Sequence, residues 1–269
     1  MSTLHALFSI DLLIMAACYL VERRTRRAGI VDAGWSLAIM LSSLFVAWRH
    51  TAGDPATRLF VALACGAWFA RLGIHLLRRY LHETREDGRY AHMRQASGRH
   101  EAVVFALFFL FQAGLALLFS LPMWALTRVP AAAWNAGHPL WLALSAALML
   151  IAWAGEWTAD RQLARFRRQP GNRGRTLRSG LWAWSRHPNY FFEWLHWLAY
   201  PMAGLGIETS AGPAAGLPLL WLYPVLMFLF LYYLTGIPFT EQQALRSRGD
   251  DYRRYQQDTP IFFPRRPRS

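Results

Sequence analysis

An amide, a carboxylate and an imidazole recur at Asn189, Glu193 and His196, followed by Trp197 and Tyr200, inside the stretch SGLWAWSRHPNYFFEWLHWLAY that runs from Ser179 to Tyr200. On a helix these positions share one stripe, and the opposite side is mostly Phe, Leu and Trp. Pro188 suits a first helical turn, where its missing N–H costs nothing, and it biases His187 toward an extended backbone, so a helix is predicted to start at about Pro188. A carboxylate just inside a membrane costs a few kcal/mol unless it faces a wet or paired interior, which makes Glu193 a candidate for function. The plainer reading is an interfacial Glu bonded to a neighbouring helix. Upstream lie Arg165, Arg167, Arg168, Arg173, Arg175, Arg178 and Arg186. Guanidinium forks ahead of a helix start, where free N–H groups and the dipole already favour anions, suit phosphate. Anionic lipid headgroups would explain the arginines too, but would leave Asn189, Glu193, Glu156 and Tyr252 without a task.

The elements that position these groups read as membrane spans. The chain has 269 residues, 54% of them hydrophobic, with 13 Trp and 17 Phe, more apolar mass than a soluble domain of this size hides. Apolar runs of spanning length are predicted at Leu4–Val21, Ile30–Trp48, Leu59–Leu77, Ala102–Leu126, Leu140–Thr158, about 188–205 and Leu217–Pro238. The expected fold class is therefore all-α, a polytopic membrane protein of about seven transmembrane helices forming one integral-membrane domain over residues 1–269. No cleavable signal peptide is expected, because Met1–Ile10 lacks a basic region and the first apolar run leads straight into ERRTRR.

All 29 basic residues are Arg, giving a net charge of +13. Of these, 25 fall after the first, third and fifth spans or in the carboxyl-terminal tail. The positive-inside rule then places the amino terminus outside and the carboxyl terminus in the cytoplasm. The same segments also carry Glu86, Asp87, Tyr90, Glu156, Asp160, Glu241, Asp251, Tyr252 and Tyr255. Orientation alone does not require such a mixture, whereas a polar pocket does.

Glycine-rich dinucleotide and Walker fingerprints, a G-x-S-x-G elbow and HExxH are all missing. No metal is expected. Cys18 and Cys65 sit inside predicted spans without ligand spacing, and His187 and Glu193 are separated by six residues with a proline between them.

The block SGLWAWSRHPNYFFEW, preceded by FRRQPG and followed by GDDYRRYQQDTPIFFP, resembles the carboxyl-terminal domain of membrane steroid 5-alpha-reductases and sterol reductases. It is especially similar to bacterial relatives of unassigned substrate, the DUF1295 group, which also show VDAGW, RLGIHLLRR and EDGRY, all present here. RHPNY is shared with isoprenylcysteine carboxyl methyltransferases. The resemblance implies a seven-helix enzyme that binds NADPH from the cytoplasmic side and reduces an activated C=C bond of a lipidic substrate, with residues 102–269 as the cofactor-binding half. It implies cofactor contacts at Asp160, Arg167, Asn189 and Glu193, with Arg168, His187, Tyr190 and Tyr252 as companions. Glu156 stands where the steroid enzymes have asparagine. Those enzymes hold the enone oxygen with a glutamate and a tyrosine in the amino-terminal half, and near the tyrosine's place this chain reads HLLRR, which speaks against a 3-oxo-steroid.

Hydride transfer also needs an acid for the charge that develops on the acceptor; the sequence does not identify it, and Asp32, His75 and Tyr80 are candidates that ordinary interhelical hydrogen bonding would explain as well. The implied partners are a lipidic small molecule and membrane lipids, not nucleic acid; the sequence leaves the oligomeric state open. The alternative is a methyltransferase using S-adenosylmethionine on a lipid-like acceptor, a cofactor without phosphates that would leave the arginines to topology.

Overall fold

A computed structural model describes residues 2–83, 85–208 and 218–266. Leu217, the expected start of the last span, lies outside the described residues. The chain is an all-α, polytopic integral membrane protein, and among the described residues six helical segments are long and apolar enough to cross a bilayer. The described residues fall into two compact units, one within Met1–Ala136 and Ile207–Ala215, the other within Gly137–Gly206 and Gly216–Ser269.

In the first unit, α1 (Thr3–Thr25), α2 (Ile30–Arg49) and α6 (Glu101–Thr127) pack against one another, and α4 (Gly66–His82) covers a further side of α2. Short α3 (Pro55–Phe60) leads into α4 through a π turn at Val61–Cys65, and α5 (Gly88–Ser97) is a polar helix before α6. Close approach of α1 and α2 depends on Gly34, where a Cβ would meet the Cys18 sulfur at 2.4 Å. Asp11, fully buried on α1, accepts from the Ser42 hydroxyl of α2 at 3.2 Å, so one hydroxyl shields an intramembrane carboxylate.

The second unit is built on α7 (His138–Arg167), which carries α8 (Pro188–Trp197) and α9 (Ala199–Ala203) on its surface; α10 (Leu222–Leu229) packs on α8. α8 begins at Pro188 as its composition demands. The sixth expected span, however, is broken at Leu198 and ends at Ala203. Sixteen residues at 1.5 Å rise reach only about 24 Å, short of the ~30 Å hydrocarbon core. α7 in turn outruns its predicted end at Thr158. The residues up to Arg167 are good helix formers and the first breaker is Pro170, so Glu156 and Asp160 stand on a helix and not in a loop. After α10 comes a second π turn, Phe230–Leu234, then α11 (Ile237–Arg248) and α12 (Asp250–Asp258).

Candidate functional site

Every candidate cofactor residue lies in the second unit. α8 reaches α7 because Gly155 has no side chain: a Cβ there would stand 2.3 Å from the Phe192 ring. This contact sets the antiparallel register. Asp160 Oδ1 accepts from Asn189 Nδ2 at 3.4 Å, and one turn further along each helix Glu156 is level with Glu193. Glu156 is buried, and the Glu193 side chain is 12% exposed. Below them His196, Trp197 and Tyr200 are all fully buried, and His196 Nδ1 hydrogen-bonds the Glu193 carbonyl. The predicted stripe on α8 is therefore the face turned inward, with its amide and carboxylate at the outer, less buried end.

The turn ahead of α8 is clamped to α7. Leu181 N–H donates to the Gln162 side chain at 3.0 Å, and Trp182 Nε1 donates to the Ala159 carbonyl at 3.0 Å. Gly180 has φ of +63°, and a Cβ there would also strike the Gln162 amide, so both conformation and space call for glycine.

His187 and Tyr252, expected beside the cofactor, converge on Glu241 of α11. Its Oε1 accepts from Tyr252 Oη at 2.6 Å, His187 Nε2 at 2.8 Å and Arg186 Nε at 3.0 Å, and its Oε2 from Arg186 Nη2 at 3.3 Å and Gln256 Nε2. Burial pushes the His187 pKa down, against the upward pull of Glu241, so at neutral pH its imidazole donates Nε2–H while uncharged. The Tyr252 phenol is pushed up, first by burial and then by Glu241, and keeps its proton. Arg186 also donates to the carbonyls of Gln256 and Thr259, at 3.0 and 2.8 Å. Tyr190 stacks on His187, with ring centroids 5.5 Å apart, and its hydroxyl meets Thr240 Oγ1 at 3.2 Å. Glu241 thus fastens the start of α8 to α11 and α12. His187, Tyr190 and Tyr252 hold the site's frame.

What this frame supports is positive charge. Arg167 and Arg168 close α7 and are exposed. Arg248, at the end of α11, lies with its guanidinium carbon 4.5 Å from the Tyr252 ring centroid, close enough to Arg167 for the two like charges to act on each other. Among the described residues neither Arg167 nor Arg248 makes an ion pair. Glu156, Asp160 and Arg167 follow one stripe of α7, about 16 Å long at helical rise. Sequence reasoning missed both Glu241 as the hub and Arg248 as a companion of Arg167. Its one usable signal was their spacing of two helical turns on the segment read as an amphipathic tail.

The candidate proton donors sit in the first unit. Asp32 is taken up by Arg79, Arg89 and the Tyr90 hydroxyl at 3.2, 3.1 and 2.9 Å. Tyr80 is buried, with its hydroxyl 3.1 Å from Thr25 Oγ1 and its ring under Arg27. His75 is exposed. Asp32 and Tyr80 have structural partners, and the VDAGW and EDGRY motifs meet at Asp32.

A family model described as "protein of unknown function (DUF1295)" matches residues 18–259. The chain belongs to the DUF1295 family. Comparisons with curated proteins and with solved structures give no match. The matched span of this chain contains VDAGW, EDGRY and RHPNY.

Proposed function

We propose that this DUF1295 protein is a membrane-embedded, NADPH-dependent reductase of an activated C=C bond in a lipidic substrate, such as a steroid-, sterol- or isoprenoid-like molecule. Arg167 and Arg248, two mutually repelling guanidiniums neither of which makes an ion pair among the described residues, are the observation that carries this reading. A pair of that kind is stabilised by a bound dianion, and phosphate is the anion that bidentate guanidinium forks fit best. The same stripe of α7 continues to Asp160 and Glu156, so an elongated ligand with phosphates at one end has polar partners along its length.

In this arrangement Arg167 and Arg248, with Arg168 beside them, neutralise phosphate, while the Asp160–Asn189 pair and the level of Glu156 and Glu193 hydrogen-bond the uncharged parts of the nucleotide. NADPH, when bound, supplies the hydride. The buried aromatic base of His196, Trp197 and Tyr200 keeps water from the inner end of α8, as a reactive hydride requires. The arginine bias by segment supports an amino terminus outside and a cytoplasmic carboxyl terminus, and the resemblance to bacterial relatives supports a bacterial inner membrane.

S-adenosylmethionine chemistry lacks a phosphate to occupy the arginine pair. The intact protein, purified in detergent, is to be titrated with NADPH, NADH and S-adenosylmethionine while its melting temperature is followed. Stabilisation by NADPH that Glu193→Ala weakens is the expected result. Stabilisation by the methyl donor alone, with neither nicotinamide having an effect, would replace the reductase with a lipid methyltransferase.

A further inference from the structure

On the second unit, away from the α7–α8 stripe, the end of the last span carries an aromatic groove of about 550 Å³ between α10 with its π turn and residues Pro260–Arg265. Its volume falls in the range of small-molecule and lipid-chain sites. Its construction explains why it stays open. Phe262 is 1% exposed and plugs the unit, with its ring centroid 5.2 Å from Phe228 and 5.9 Å from Trp194. Next to it Phe263 is 54% exposed and Tyr233 is 62% exposed, two large rings left uncovered on the groove's rim.

The wall from the tail is held by its backbone. Pro260 accepts from Arg186 N–H at 2.9 Å, Phe262 accepts from Ser185 Oγ at 2.8 Å, and Arg265 N–H donates to the Trp184 carbonyl at 3.0 Å. Pro260 and Pro264 have no N–H to satisfy, which suits a strand of chain bordering lipid. The opposite wall is turned by the π segment, where Thr235 returns both its N–H and its hydroxyl to the Phe230 carbonyl. That extra residue per turn lets Tyr232 and Tyr233 lie in ring contact, 4.8 Å apart. At the groove's end the Arg265 side chain is exposed, and among the described residues it makes no ion pair.

We infer that this groove is a binding site for an anionic phospholipid, one acyl chain lying across Phe263 and Tyr233 and the phosphate paired with Arg265. Three features select this occupant. The groove sits where an apolar span gives way to the polar helix α11, the depth of a lipid headgroup boundary. Its exposed lining is aromatic, as interfacial sites are. Its one charged lining group is a cation, so a zwitterionic lipid leaves a charge uncompensated and an anionic one does not.

Native mass spectrometry of the delipidated full-length protein tests this, with palmitoyl-oleoyl phosphatidylglycerol or palmitoyl-oleoyl phosphatidylcholine added. Phosphatidylglycerol is expected to be retained about fivefold better than phosphatidylcholine, and Arg265→Gln to abolish that preference without changing the melting temperature. Phe263→Ala is expected to lower retention of both lipids. Should Phe263→Ala fail to fold, Arg265→Gln at its exposed position still decides. Equal retention of the two lipids, or a preference that survives Arg265→Gln, would overturn the site. NADPH affinity is independent of this groove, so failure here leaves the reductase reading standing, and the reverse also holds.

Discussion

Two arginine-rich stretches of similar appearance are used in opposite ways. In RRYLHETREDGRYAHMRQASGRH, on and around α5, three of the six arginines are neutralised within the fold: Arg79 and Arg89 meet Asp32 and Asp87, and Arg94 reaches Glu22, Glu86 and Glu101. In RQLARFRRQPGNRGR, at the end of α7, none of Arg161, Arg165, Arg167, Arg168, Arg173 and Arg175 makes an ion pair among the described residues. The first stretch spends its charge on holding helices together, and the second presents charge outward. Arginine number therefore says little about anion binding; the local supply of carboxylates decides it.

The sharpest test of this contrast is Arg94→Ala. Glu22 is fully buried and Arg94 is its counter-charge at 2.8 Å, so truncation leaves a buried carboxylate without its cation and is expected to cost about 3 to 5 kcal/mol. A large fall in melting temperature in detergent is the readout. A fall of under about 0.5 kcal/mol would mean that the first stretch is no more structural than a solvated surface.

Glu241→Ala comes next. It strips Arg186, His187 and Tyr252 of their common acceptor and is expected to destabilise the protein by about 3 kcal/mol, as breaking a partly buried charge pair does. Because the hub only frames the site, nucleotide affinity measured below the new melting temperature should fall far less than stability. The converse result, normal stability with lost affinity, would move Glu241 into the ligand site itself.

Arg167→Gln and Arg248→Gln are the counterpart in the second stretch. Each is expected to leave the unliganded stability within about 0.5 kcal/mol of the parent and to weaken NADPH binding about tenfold, the value of one charge-assisted bond. Loss of stability with unchanged affinity in both would erase the contrast between the two stretches.

Much of this was legible in the sequence where the signal is periodic or local. Six of the predicted spans are found as apolar runs, the α8 start follows from Pro188, and the stripe from Asn189 to Tyr200 follows from helical spacing alone. Interactions between partners far apart in the chain were not. Glu241 gathers Arg186 and His187 from more than fifty residues away, and no spacing rule connects them. The break at Leu198 was hidden as well, because the residues across it are as apolar as those of a continuous span, and only packing distinguishes the two. The VDAGW and EDGRY motifs could be recognised but not paired, since nothing in either names the other as the partner of Asp32.

The smallest expected effect concerns an exposed ion pair just past the second stretch. Arg178 Nη2 donates to Asp251 Oδ1 at 3.1 Å, with both side chains about a third exposed. Partial burial works to raise the Asp251 pKa, but the Thr176 hydroxyl and N–H and the charge of Arg178 outweigh it and hold the carboxyl below its ordinary value. A carboxyl whose folded pKa lies below its unfolded one stabilises the fold above the unfolded value, near 4, and loses that contribution as pH falls through the folded value. At this exposure solvent screening limits the pair to about 0.5 kcal/mol. Asp251→Asn should therefore melt slightly below the parent at pH 7, and the gap should close as the pH is lowered toward 3. A gap that is constant with pH would show the uncharged contacts of Asp251, which an amide can partly keep, to matter more than its charge, and would leave Arg178 as free as its neighbours to meet an anion.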